Sequence, residues 1–335
     1  MEQDNIDFVI TWVDGNDPKW QRKRNQYSPK EQQDVSINRY REWGNLIYLF
    51  RGIEKFAPWV HKVYFISDEQ VPVWLNINHP KLVLVDHKDY IPEKYLPVFS
   101  SRPIDLNLHR IKGLEEKFVT FNDDYLITDY LKPTDFFVGD MPKDIFIEYP
   151  IMCGGNSPLF SNTLANTFNL IGKYYTRSEY RKVLKKKILS PKYGLYFWYN
   201  LLQYYIPYTK FFGLLTPHFA RPYLKSSFVE LWQKEEAVLD ATCRNRFRDI
   251  TDVNIYVFRL WNLLKGNFIP ANIFKMGKAL FIREDNPEIY KTIESQKYKI
   301  LCLNDDCNEE CFHIVSPKIK QSIDKILPEK SLFEK

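Results

Sequence analysis

The first 125 residues alternate between short apolar runs and one long segment with helical spacing. "IDFVITWV" (Ile6 to Val13) reads as a buried strand closed by the turn residues Asp14 and Gly15. "NLIYLFRGIEKFAPW" places Leu46, Leu49, Phe50, Ile53 and Phe56 on one helical face, and Pro58 stops it. "KVYFIS" (Lys62 to Ser67), "KLVLVD" (Lys81 to Asp86) and "FVTF" (Phe118 to Phe121) predict three more strands. Strands and helix in this order predict an α/β fold, Rossmann-like, with a mostly parallel sheet. Such sheets bind ligands beyond the carboxyl ends of their strands. Asp14, Asp17, Asp123 and Asp124 all follow such ends.

Beyond residue 150 the pattern changes. "IMCGGNSP" is loop-like, and a basic stretch and the aromatic run "GLYFWYNLLQYYIPYTKFFGLL" follow. "SFVELWQKEEAVLDATCRNRFR" and "DVNIYVFRLWNLLKGNF" both predict helices. "KILCL" (Lys299 to Leu303) predicts a strand that rejoins the first sheet, and the tail from Ser316 reads as a short amphipathic helix with a solvated end. The expected division is an α/β core over 1–150, a basic and aromatic helical insertion over 151–215, a helical part with the last strand over 216–315, and a C-terminal tail over 316–335.

Charge sharpens one region. The net charge is +5, yet Lys173 to Lys192 alone holds eight Lys or Arg against Glu179. So local a patch is unlike a nucleic-acid footprint spread over a face. Basic residues beside Phe197, Trp198 and several Tyr suit the headgroup region of an anionic bilayer, so 173–215 is a candidate for peripheral membrane contact. Asn200, Gln203, Pro207 and Lys210 interrupt the run, which excludes a spanning helix. The plainer alternative is a second aromatic core with a solvated lysine face. Acids near the N-terminus argue against a secretory signal, and five Cys argue against a disulfide framework, so a cytoplasmic protein is expected. Cys302, Cys307, Cys311 and His313 match a zinc set by type but not by spacing. His61, His79 and His87 have no supporting pattern and read as surface or strand-end residues.

The triplet Asn-Asp-Asp occurs twice after a strand-like run, at Asn122 to Asp124 and at Asn304 to Asp306. Adjacent strand residues face opposite sides, so Asp123 and Asp124 share a ligand only where the strand has ended. Acids at such ends suit Mg²⁺ or Mn²⁺, which leave positions for phosphate oxygens. Turn formation by Asn and Asp is the bland alternative.

Several stretches, in order, resemble the conserved regions of the Stealth family: "IDFVITWVDGNDPKW", "RYREWGNLIYLFRGIEKFAPWVHKVYFISD", "VFSSRPIDLNLHRIKGLEEKFVTFNDD", "TPHFARPYLKSSFVELW", "ATCRNRFRDITDV" and "LCLNDD". The family comprises bacterial capsular polysaccharide phosphotransferases and is similar to the lysosomal-enzyme N-acetylglucosamine-1-phosphotransferase of animals. The resemblance implies a glycosyltransferase-A-like core that takes a UDP-sugar and Mg²⁺ or Mn²⁺. It would transfer hexose-1-phosphate to a capsular or cell-surface glycan hydroxyl, release UMP, and work at the inner face of the cytoplasmic membrane on an acceptor built on a lipid carrier. By that resemblance, catalytic positions fall on His218, Arg248, Asp123, Asp124 and Asp305, with Asp123, Asp124 and Asp305 as metal ligands. Trp12, Asp14, Gly15, Asp17, Arg39, Asp105, His109 and Arg110 fall in the donor-binding set; on a helix Asp105 and His109 would share a face. Leu224 and Lys225 stand where several relatives carry an Asp-Arg pair, which touches acceptor contacts rather than reaction type. The bland readings are a helix C-terminal charge for Arg248 and a core position for Trp12. Two other functions fit the acids or the aromatics: a metal-dependent glycosyltransferase releasing UDP, and a non-catalytic glycan-binding protein.

Overall fold

The computed structural model describes residues 5–28, 41, 43–151, 158–207, 210, 211 and 213–335. Arg39 lies outside the described residues. Among those described, the strands in chain order are β1 (Ile6–Thr11), β2 (Val63–Ser67), β3 (Leu82–Asp86), β4 (Lys117–Asn122), β5 (Tyr125–Ile127), β6 (Phe137–Val138), β7 (Met141–Asp144), β8 (Arg221–Leu224), β9 (Ile269–Pro270), β10 (Gly277–Ile282) and β11 (Ile300–Asp305).

The central sheet runs β3-β2-β1-β4-β8. Its first four strands are parallel, and β8 is antiparallel at the edge. The α/β fold with a mostly parallel sheet is therefore as predicted. Strand β1 lies inside this sheet, so both its faces are covered, which is why it reads as an unbroken apolar run. Phe8 and Ile10 pack with Leu49, Phe50 and Ile53 of the Leu46–Phe56 helix, whereas Val9 joins Tyr64, Ile66 and Phe118 on the other side. The one acid in the strand, Asp7, is buried, and the ring Nδ1 of His61 (2.8 Å) and the backbone N–H groups of Lys62 and Glu115 satisfy it.

Strand β11 does not rejoin the central sheet. It pairs in parallel with β10 and antiparallel with β5, forming a second sheet of order β10-β11-β5. Strand β5 begins three residues after β4 ends, so Asp123 and Asp124 are the whole link between the two sheets. The Leu46–Phe56 helix fits closely over this link: a Cβ on Gly52 would lie 2.7 Å from the Ile127 carbonyl oxygen.

The C-terminal end is anchored rather than solvated. The Glu309–Ile326 helix leads to Phe333, which is buried and stacks on His79 with ring centroids 3.7 Å apart. Glu334 takes two bonds from Arg51, at 2.8 and 3.0 Å, and Lys335 N–H reaches the Trp74 carbonyl. His79 and His87 are thus not free surface residues: His79 is covered by Phe333, and His87 is buried, with burial pushing its imidazole below the usual value.

Within 151–215, Tyr180, Leu184, Ile188 and Tyr193 join the same core as Val9 and Phe118. The Arg177–Ile188 helix is fixed through Glu148, whose carboxylate accepts from Arg177, Tyr180 and Arg181. Burial opposes that charge, and the two guanidiniums and the Tyr180 hydroxyl outweigh it, so the carboxyl is held below its ordinary value.

Candidate active site

The carboxyl ends of β1 and β4 are neighbours, with Thr11 opposite Asn122. Two acid motifs therefore leave the sheet side by side. The β1 side forms a cleft of about 290 Å³ lined by Trp12, Asp14, Asp17, Glu69, Gln70 and Val71. Gln70 braces it. Its amide accepts from the Asp14 N–H (2.9 Å) and donates to the Asp14 carbonyl and to Asp17 Oδ2, both at 3.0 Å. Asp17 caps the Pro18–Tyr27 helix by accepting from the Lys19 N–H, and the Gln70 bond, followed by this one, holds its carboxyl below the usual range. The Gly15 carbonyl accepts from Gln21 at 2.8 Å. Trp12 lies on Phe65, with centroids 5.6 Å apart. Glu69 adopts a left-handed backbone (φ 56°), unusual for a side chain with a Cβ, at the cleft wall.

On the β4 side, Asp123 and Asp124 are both half-buried. His218 comes from the segment before β8, which pairs antiparallel to β4, so the two strands deliver these residues to one place. His218 Nε2 lies 3.5 Å from Asp124 Oδ2, and the Cys302 thiol donates to the same oxygen at 3.2 Å. Burial, then the Asp124 charge, pushes the Cys302 thiol far above its ordinary pKa, so it sits there as a donor. The His218 ring packs edge-on to Tyr125 at 5.6 Å. Asp124 Oδ1 is buried and has no hydrogen-bond partner among the described residues. Ligand atoms of Asp124, His218 and Cys302 all lie within 4.8 Å of one another.

Asp305 is placed differently. Its carboxylate accepts from Trp43 Nε1 (3.0 Å) and the Cys307 N–H (2.9 Å) and pairs with Arg41 at 3.2 Å. Burial nonetheless raises its pKa from the ordinary carboxylate value. The structure thus brings His218 to Asp124, and Asp305 to Arg41. Cys307, Cys311 and His313 do not gather with Cys302: the Cys307 thiol donates to the Ile282 carbonyl, and His313 faces Glu309 at 3.8 Å.

Asp105 and His109 do not share a helix. The Ser101–Leu106 helix ends at Asn107, and Leu108–Arg110 is a separate short turn of helix. Burial pushes the Asp105 carboxyl up to about 7 and the His109 imidazole down to about 3. His109 lies against Phe228 and Trp232, and Arg110 lies over Trp232 at 4.8 Å, so both face the Lys225–Arg244 helix. Arg248 is exposed in the loop after that helix rather than in it. The loop is tied down by the buried Arg102–Asp252 pair and by Phe247 stacked on Phe99 at 5.1 Å. Phe99 in turn meets Trp20 and Tyr27 of the helix that Asp17 caps, which ties the loop to the element bordering the Trp12–Asp17 cleft.

Sequence reasoning missed Gln70, Arg41, Trp43 and Arg221. The last is buried three residues after His218, over the Tyr256 ring at 5.1 Å, with Nη2 unpartnered among the described residues. "ISDEQ" reads as a strand end and "FARPY" as the start of a strand, and neither carries a spacing that marks a polar role.

A histidine beside a carboxylate and a polar cleft at the mouth of a parallel sheet mark the candidate active site of an enzyme. Residues 4–32 match the family described as Stealth protein CR1, conserved region 1, and residues 39–144 match Stealth protein CR2, conserved region 2. Over 338 aligned residues the chain is 40% identical to capsular polysaccharide phosphotransferase WcwK of Streptococcus pneumoniae, covering 100% of this chain and 99% of the relative. It is 40% identical to receptor polysaccharide phosphotransferase WefC of Streptococcus oralis, covering 98% and 99%, and 35% identical to exopolysaccharide phosphotransferase cps2G of Lactiplantibacillus plantarum, covering 99% and 96%. The chain belongs to the Stealth family of polysaccharide phosphotransferases. A solved galactosyltransferase, LgtC with donor and acceptor sugar analogs, aligns over 96% of both chains at 10% identity with a TM-score of 0.40, too low to argue from.

Proposed function

We propose that the protein moves hexose-1-phosphate from a UDP-sugar to a hydroxyl of a capsular polysaccharide acceptor, forming a phosphodiester and releasing UMP. The observation that carries this reading is the contact of His218 with Asp124 at the link between the two sheets, beside the Trp12–Asp17 cleft. The acceptor oxygen attacks the phosphorus that bears the sugar. The bond from that phosphorus to the bridging oxygen breaks, and UMP leaves. His218 Nδ1 takes the acceptor proton, while Asp124, which faces Nε2, orients the ring and stabilises its charged form. The uridine side occupies the cleft of Trp12, Asp14, Gly15 and Asp17. Arg248, on its tethered loop, and buried Arg221 supply positive charge to the transferred phosphoryl group. Asp305 acts by holding Arg41 and Trp43 at the border of the site.

The residues fit a divalent ion. Asp124 Oδ1 is a buried oxygen with a free lone pair, and Asp123 stands next to it. The Asp123 and Asp124 oxygens suit Mg²⁺ or Mn²⁺, both of which take carboxylate ligands. When bound at Asp123 and Asp124, the ion supplies charge neutralisation to the diphosphate. We place the reaction at the inner face of the cytoplasmic membrane, where an acceptor on a lipid carrier is presented.

Product identity tests the reading. With a UDP-sugar, Mn²⁺ and a capsule-type acceptor, UMP is expected, and it should vanish with His218→Ala. UDP would show attack at the anomeric carbon, an ordinary glycosyltransferase. Tight glycan binding with neither nucleotide released would favour the non-catalytic alternative.

A further inference from the structure

The outward face of the 151–215 segment carries four large apolar side chains beside four lysines. Leu195, Trp198, Leu202 and Tyr205 are exposed by 85%, 62%, 73% and 74%. Their spacing puts them within about a quarter-turn of the Tyr196–Tyr205 helix and its first flanking residue, at ~100° per residue. Asn200, on the opposite side of that helix, is buried and donates to the Phe146 and Ile188 carbonyls at 2.7 and 2.9 Å. Those bonds fix the rotation of the helix and hold the apolar stripe outward.

The neighbouring Arg177–Ile188 helix divides its charges into two groups. Arg177 and Arg181 are taken up by Glu148, and Lys187 donates to the Gly266 and Phe268 carbonyls. Lys182, Lys185, Lys186 and Lys192 are exposed, and no ion pair holds them among the described residues. Lys185 Nζ lies 5.9 Å from the Tyr204 ring, which is 5.6 Å from the ring of Tyr205. The free charge therefore borders the stripe.

We propose that this face docks the protein on an anionic phospholipid bilayer. Leu195, Trp198, Leu202 and Tyr205 enter the boundary between headgroups and acyl chains, and Lys182, Lys185, Lys186 and Lys192 meet lipid phosphates. No helix among the described residues is long and apolar enough to cross a membrane, so the contact is peripheral. The chemistry favours lipid over other occupants. A second copy would match the apolar stripe but bring like charges together. A soluble acidic glycan would match the lysines but has no use for Leu195 and Leu202, whose aliphatic side chains suit acyl chains rather than sugars. Use of this docking for a lipid-carried acceptor rests on the function proposed above; the docking itself does not.

Sedimentation with vesicles tests it. The full chain is expected to bind vesicles containing phosphatidylglycerol, to release as salt rises, and to ignore pure phosphatidylcholine. The triple variant Lys182→Glu, Lys185→Glu, Lys186→Glu should weaken binding about 100-fold, since each lysine is worth roughly fivefold. The double variant Trp198→Ala, Leu202→Ala should weaken it at least tenfold, as expected for burial of two large apolar groups (about 10-fold per 1.4 kcal/mol). Both variants should keep turnover on a short soluble acceptor, so loss of docking is distinguishable from loss of the reaction. Equal binding to both lipids, or variants that bind like the parent chain, would overturn the proposal. So would a dimer in sedimentation velocity that the double variant converts to monomer, or binding of an acidic glycan with no binding of vesicles.

Discussion

The tripeptide Asn-Asp-Asp occurs twice, and the two copies have opposite environments. At Asn122–Asp124 the carboxylate of Asp124 touches a histidine and a thiol, and one of its oxygens is buried without a partner among the described residues. At Asn304–Asp306 the carboxylate of Asp305 is engaged by a guanidinium, an indole and a backbone N–H, while Asp306 pairs with exposed Arg283. The first copy retains capacity to bind something; the second is occupied by the protein itself. The same tripeptide thus does different work: β4 ends at Asn122, ahead of both acids, whereas β11 runs on through Asp305, and the surrounding partners, not the residue types, decide the role. A lone pair left over in a half-buried carboxylate is a costly feature unless a ligand or proton uses it.

Asp124→Asn should separate the two copies most sharply. The substitution keeps shape but removes the charge that orients His218, and turnover is expected to fall about 10⁴-fold, as when a histidine loses its buried carboxylate. Melting temperature should stay within a few degrees, because no ion pair beyond His218 is lost. A large fall in stability with unchanged turnover would reverse the roles assigned to the two triplets. His218→Gln should follow at about 10³-fold in turnover, the usual range for a general base. Its pH–rate profile should lose the limb that reports the base.

Asp305→Ala should act first on stability. The change takes one of two carboxylates from Arg41, which keeps Glu309 at 2.9 Å, and strips Trp43 Nε1 and the Cys307 N–H of their acceptor, at about 2 kcal/mol by denaturant unfolding. Asp305→Asn, whose single oxygen can accept from Trp43 or from the Cys307 N–H but not from both, should recover part of that. Turnover that drops as far as in Asp124→Asn while stability stays intact would make Asp305 a direct participant in the chemistry, as the family resemblance implies.

The parts of this arrangement that were legible in the chain are those that burial dictates. Strands β1, β2 and β4 are covered on both faces, so their apolar runs stand out, and the acids after β1 and β4 mark the sheet mouth. Pairing partners were not legible. "KILCL" has the pattern of any buried strand, and its partner β5 is only three residues long, too short for a period to show. The face shared by Asp105 and His109 was an inference from helical spacing that Asn107 cancels by ending the helix. Glu334 reads as a solvated terminal acid, and only the three-dimensional return of the tail to Arg51 gives it a partner. Arg41 and Trp43 were invisible as a clamp because their partner is more than 260 residues away, at separations of 264 and 262.

Asp105 offers a third environment, a half-buried carboxyl with no ion pair among the described residues. Burial alone raises its pKa to about 7, against an ordinary carboxylate value of about 4 in the unfolded chain. In the window between those values the folded protein holds a proton that the unfolded chain has released, so folding takes up a proton and stability falls as pH rises. The slope approaches 1.4 kcal/mol per pH unit in the middle of the window, or about 2 kcal/mol between pH 5 and pH 6.5. Asp105→Asn cannot titrate, so its unfolding free energy should lose that part of the decline and exceed the parent's above pH 7. Denaturant unfolding at pH 5, 6.5 and 8 for both proteins would show it. Parallel curves would mean that a bound cation or ordered water compensates the Asp105 charge, which would place this carboxyl with Asp124, as one with capacity for a partner.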